Sequence, residues 1–168
     1  MAGLGQPDFS AAKVAVFTSA FQLRGELHIL GIMQTFLNDE QKPTLTVFGA
    51  EAIGLEASSP ARLSQPEIIV NKRSVQVILF EAMPPQGAIS LLPRTESLVV
   101  YLDRFALSGK FFMGQDARIQ DFADASVQQF LVLSEAKMFP MFQARQGLAT
   151  SAPLAVLHKS AIRMYHTA

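Results

Sequence analysis

The sequence predicts an all-β protein made of two tandem copies of one small barrel-like unit, spanning residues 1–83 and 84–168. Three observations predict it. Short runs alternate apolar and polar residues, glycines stand inside those runs, and a set of blocks recurs in the same order in both halves. Period-two alternation is the mark of a strand with one buried face. A glycine within a strand marks a bulge or bend, which a small barrel needs in order to curl.

In the first unit, Phe9 to Lys13 follows Pro7-Asp8 and is expected to form a helical turn. Phe21, Leu23, Gly25, Leu27 and Ile29 then alternate with Gln22, Arg24, Glu26 and His28, a strand with glycine at its centre. Leu45-Thr46-Val47-Phe48 is β-branched and aromatic and too short for a helix. Ala57 to Pro66 is rich in Pro, Ser and Gln and is expected to be a long hairpin loop. Ile68-Ile69-Val70, then Val75, Val77 and Leu79, give two strands around the polar turn Asn71-Lys72-Arg73-Ser74.

The seam between units is Met83-Pro84-Pro85-Gln86-Gly87, because neither proline can donate to a ladder. Ala88 to Leu92, before Pro93, is expected to make a helical turn. Val100-Tyr101 through Phe105-Ala106-Leu107-Ser108-Gly109-Lys110-Phe111 then repeats the run from Val16 to Leu27, 84 positions on. Phe36-Leu37-Asn38 falls on Phe122-Ala123-Asp124, and Glu51-Ala52 on Glu135-Ala136. Phe130 to Leu133 is a further strand, and Ala144 to Pro153 a second long loop. Val70 to Val77 matches Leu157 to Met164, 87 positions on.

Composition narrows the function classes. Hydrophobic residues make up 49% and charged residues 17%, below the roughly 25% usual for a soluble protein. So much apolar material on small units implies that some apolar surface is covered by a partner. Fourteen basic residues balance fourteen acidic ones, which removes the simplest source of affinity for nucleic acid. With no cysteine in the chain, disulfides, thiol catalysis and cysteine-ligated metals are excluded. Met1 to Ser10 lacks the pattern of a secretory signal, and no run is long and apolar enough to span a membrane. The expected setting is the cytoplasm, with no membrane contact and no cofactor.

The order of these motifs resembles the Sm and Sm-like fold, a small SH3-like β-barrel. Leu23-Arg24-Gly25-Glu26-Leu27 with Phe36-Leu37-Asn38 fits the first motif of that family, and Val70-Asn71-Lys72-Arg73-Ser74-Val75 fits the frame of the second. A looser likeness is to uncharacterised bacterial proteins that carry paired barrels. The resemblance implies loops that hold RNA bases and subunits that join edge to edge into rings. The family's aspartate is replaced by Gln34, its arginine by Asn71 and the glycine after it by Lys72.

The resemblance points to Asn38, Asn71, Lys72 and Arg73, with His158 and Lys159 in the second unit, as ligand-binding candidates. The plainer reading of those residues is that of ordinary solvated turns. Asp121 and Asp124 are read as bordering a loop, His28 as a surface residue, and His158 and His166 as a solvated turn and a terminus. Met138, Phe139, Met141 and Phe142 surround Pro140 and put apolar side chains on both faces of one strand; core filling is the plainer reading, and the face left over makes them interface candidates between units or between chains. The expectation is a non-enzymatic binding or assembly module, oligomeric or bound to another protein, with weak RNA binding as the alternative.

Overall fold

The computed structural model describes residues 9–124 and 128–168. It is all-β: ten antiparallel strands form one open sheet. In chain order they are β1 (Phe9–Phe17), β2 (Phe21–Leu30), β3 (Thr44–Gly54), β4 (Arg62–Asn71), β5 (Val77–Phe80), β6 (Arg94–Tyr101), β7 (Phe105–Met113), β8 (Phe130–Pro140), β9 (Ser151–His158) and β10 (Met164–Thr167). One short helix, α1 (Met33–Leu37), and three 3-10 turns complete the described secondary structure.

Across the sheet the order is β10-β6-β7-β8-β9-β5-β1-β2-β3-β4. The last five strands are therefore arranged as 5-1-2-3-4, as the first five are. The registers agree too. Phe17 faces Gln22 as Tyr101 faces Ala106, and Val77 faces Phe17 as Met164 faces Tyr101. Gly25 and Gly109 both stand where the ladder to the next strand slips. A Cβ on Gly25 would lie 2.5 Å from the carbonyl oxygen of Phe48, and one on Gly109 would lie 2.9 Å from that of Ser134. Only glycine lets the strands approach so closely.

The slip is completed on the facing strand by a left-handed residue, Gly49 (φ 56°) in β3 and Glu135 (φ 52°) in β8. Gly49 thus corresponds to Glu135, 86 positions on. This corrects the expected match of Glu51-Ala52 to Glu135-Ala136: Glu51 is opposite Arg24 as Lys137 is opposite Ser108. The offset of 86 that relates Phe36 to Phe122 thus persists through the third strand, and the local identity of the Glu-Ala pairs hid that.

Three other expectations change. Phe9 to Lys13 is not helical but the start of β1, held by the ladder from Phe9–Leu30 to Lys13–Glu26. Ala88 to Leu92 is not a helical turn: its backbone is held by α1, with Met33 N–H donating to Ala88 O at 2.9 Å and Ser90 exchanging bonds with the Gln34 amide. The two proline-rich loops are shorter than expected, since Arg62–Pro66 and Ser151–Pro153 belong to strands. Pro66 sits in an edge strand, and Pro153 faces the irregular residue Glu135, so neither site requires a donor.

Two apolar cores lie on opposite faces of the sheet, and β5 and β9 form the wall between them. Val77 and Leu79 enter one core while Ile78 and Phe80 enter the other; Ala155 and Leu157 are opposed to Leu154 and Val156 in the same way. A strand alternates its faces, so a strand covered on both sides must be apolar throughout, as Val-Ile-Leu-Phe is.

Candidate functional site

The ladder between β5 and β9 joins the two five-strand runs, with Val77 opposite Leu157 and Phe80 opposite Leu154. Around it the 3-10 turns Lys72–Ser74 and Lys159–Ala161 come close, because the first leads into the start of β5 and the second leaves the end of β9, which are paired. Asn71 caps the first turn, its Oδ1 accepting from Arg73 N–H at 2.9 Å. His158 caps the second in the same way, Nδ1 accepting from Ser160 N–H at 3.2 Å.

Between these turns lies a cleft of about 630 Å³, lined in part by Asn38, Lys72, Arg73, Phe130, His158 and Ser160. The structure thus brings together Asn38, Lys72, Arg73 and His158 from opposite halves of the chain. Asn71 stands at the cap beside the cleft, and Lys159 lines a second surface depression with Asp124 and Arg163. Asn38 is chiefly a joint. Its Oδ1 accepts from the N–H groups of Gln129 and Phe130, both at 2.9 Å, and so ties α1's end to the start of β8.

Two side chains differ from the solvated turns expected. Lys72 is buried, and its Nζ donates to the carbonyls of Phe36 (3.2 Å) and Asp39 (3.1 Å). Burial pushes its ammonium below the ordinary lysine value and Lys42 adds to this, while Asp39 opposes it. His158 is buried too, edge-on to Phe130. Burial, then the neighbouring Lys159, hold its imidazole below the ordinary value, so it stands neutral at pH 7. Arg73 is the cation that lines the cleft in exposed form.

The Met/Phe segment is divided by its pleat. Met138 lies in the core of the second run, and Phe142 is half-buried, its ring edge-on to Phe105 and 4.1 Å from the Arg104 guanidinium carbon. Phe139 and Met141 are exposed. Phe142 also borders the place where the halves touch, since Ala57 N–H donates to Gln143 O and Arg145 N–H donates to Leu55 O. Elsewhere, Asp121 pairs with Arg118 at 2.7 Å, and His28 is stacked between Phe9 and Phe48. Among the described residues no helix is long and apolar enough to cross a membrane, and no cluster of His, Asp and Glu has the grouping of a metal site.

Sequence reasoning missed Gln129, Phe130 and Ser160 in the cleft and Ile69 and Met164 at the sheet edges. Ile69 and Met164 had a signal, being apolar residues on strands that end the order. Compared with known proteins, the chain matches no family model, no curated protein and no solved structure.

Proposed function

We propose that the chain is a non-enzymatic assembly module, two Sm-like barrels in tandem, that self-associates through its strand edges. The observation that carries this reading is the state of the sheet's two ends. Both β4 and β10 are edge strands, and Ile69 on one is 63% exposed and Met164 on the other 62% exposed. An exposed apolar edge strand is a template for pairing with another chain, and proteins that remain single usually protect such edges. Agreement of strand order, register, bulge and cap between the runs supports treating them as copies. The curl that two cores on opposite faces require supports the barrel reading.

Sedimentation equilibrium or light scattering of the purified chain tests the proposal. The expected mass is an integral multiple of 18.3 kDa, two or greater. A single 18.3 kDa species throughout the micromolar range overturns it.

A ligand at the cleft is a second reading, favoured by the convergence of Asn38, Arg73 and His158 from the two halves. Single-stranded RNA fits the resemblance, but the burial of Lys72 removes a cation that the turn's sequence offered.

A further inference from the structure

We infer that the chain holds a small, uncharged and mainly apolar molecule in a cavity between its halves, against the first turn of α1. The inference is independent of the assembly reading and concerns a different surface.

The cavity has a volume of about 580 Å³, within the range of about 300–1,000 Å³ that encloses a small ligand. Stretches distant in sequence build it. Ile32, Gln34 and Thr35 come from α1 and its cap, Ser90 and Leu92 from the segment that joins the halves, and Phe112 and Val132 from β7 and β8. The joining segment is held in place by α1, through Met33 N–H to Ala88 O and the Gln34 amide to the Ser90 backbone. The walls reach both cores, since Phe122 and Leu131 belong to one and Val132 to the other.

The lining fixes the class of occupant. Among the described residues, no Asp, Glu, Lys or Arg lines this cavity. Four other depressions each present charge: Lys72 and Arg73 in the cleft, then Lys13 and Glu81, Glu56 and Arg104, and Lys159 and Arg163. A charged ligand entering here loses its water and gains no opposite charge. An uncharged one forfeits little. Water is also poorly served. It needs about two to four polar partners, the Gln34 amide is already engaged by Ser90, and Phe, Leu and Val side chains offer none. The floor, formed by Phe122, Leu131 and Val132, is buried, whereas at the mouth Ile32 is 43% exposed and Leu92 53% exposed. Apolar side chains left in solvent around a concave site are what a bound apolar molecule covers.

Two dyes that differ by one sulfonate test this. N-phenyl-1-naphthylamine is neutral, and 8-anilinonaphthalene-1-sulfonate carries the same rings with a negative charge. The purified chain is expected to bind the neutral dye saturably, one molecule per chain, and to melt higher as the dye concentration rises. The anionic dye is expected to bind roughly tenfold more weakly. Gly114 also lines the cavity, and a Cβ there meets nothing nearer than the Ala117 methyl at 3.9 Å, so a larger side chain enters without strain. Gly114→Leu and Thr35→Trp, which fill the cavity from different sides, are each expected to weaken the neutral dye roughly tenfold or more while melting no lower than the parent. Ile69→Asp with Met164→Asp, which changes the exposed sheet edges, is expected to leave its affinity unchanged. No saturable binding of the neutral dye overturns the inference. So does affinity that survives both filling variants, and so does tighter binding of the anionic dye. Binding lost in the edge variant alone places the dye on the sheet edges and overturns the inference as well.

Discussion

Gly25 and Gly109 show how much one missing Cβ carries. At Gly25 the added methyl meets a backbone carbonyl at 2.5 Å and a Val47 methyl at 2.7 Å, neither of which can turn away freely. Gly25→Ala is expected to destabilise by about 1–3 kcal/mol, the usual range for overpacking. Gly109→Ala is expected to cost less, because its nearest obstacle at 2.6 Å is the end of the Leu133 side chain. Urea unfolding of both variants checks the ranking, and equal stability to the parent at Gly25 would refute it. Glu135 presents the opposite case. It is the non-glycine residue at positive φ among those described, and its ion pair with Lys110 (3.2 Å) is exposed. Glu135→Gly is therefore expected to leave stability unchanged or raise it by up to about 1 kcal/mol, whereas Gly49→Ala in the first run lowers it.

His158 makes stability depend on pH. Its folded pKa is held below the ordinary value, first by burial and then by Lys159. The unfolded chain therefore takes up a proton near about pH 6.5 while the folded one stays neutral. The stability owed to neutral His158 is present above that pH and is lost as pH falls through the folded value. His158→Asn installs the amide that caps the equivalent turn at Asn71 and should flatten this slope. Urea midpoints compared across the mildly acidic range measure it, and an unchanged slope would assign the dependence to other groups.

At the scale of elements, the runs are bound by a strand ladder and by the loop after α1. Asn38 accepts two backbone N–H groups there and also donates to Gln34 O at 2.8 Å. Truncating it strands buried donors at the edge of β8. Asn38→Ala is expected to cost about 1–3 kcal/mol. Asn38→Asp keeps the acceptor and is expected to cost less. Thermal unfolding of the two variants distinguishes them; an equal loss would mean that the amide donor carries the joint. Strand alternation, bulge glycines and the Asn71 turn were legible because each is written in a few consecutive residues. The helix α1 was not, since five residues contain barely one turn of period. Its position is set by Gln34 and Met33 bonding a segment more than fifty positions away.

For the whole molecule, charge argues against tight binding of nucleic acid. The net charge is zero, and six Arg or Lys side chains stand in ion pairs with carboxylates: Arg62, Arg94, Arg104, Lys110, Arg118 and Arg163. Affinity for phosphate grows with the counterions released by unpaired cations. Poly-uridine and poly-adenosine RNA, followed by fluorescence anisotropy at moderate salt, are expected to bind more weakly than micromolar. Sub-micromolar binding abolished by Arg73→Ala would instead establish the cleft as an RNA site.

What the sequence by itself determined is local: an all-β chain, the places of its bends, and the recurrence of its strand motifs. The near-continuous apolar run of β5 was also there to read, yet its partner was not. Backbone hydrogen bonds are the same for every residue, so no local pattern says which strand lies beside which. Only the tertiary structure decided that β5 pairs with β9 and that both halves share one sheet. The fates of polar residues followed from that decision. Lys72 and His158 occupy turns that read as solvated, yet both are buried, Lys72 against the carbonyls of Phe36 and Asp39 and His158 against the Phe130 ring. Met138 and Phe139 are adjacent in sequence and alike in hydropathy, and the pleat sends one to the core and the other to solvent.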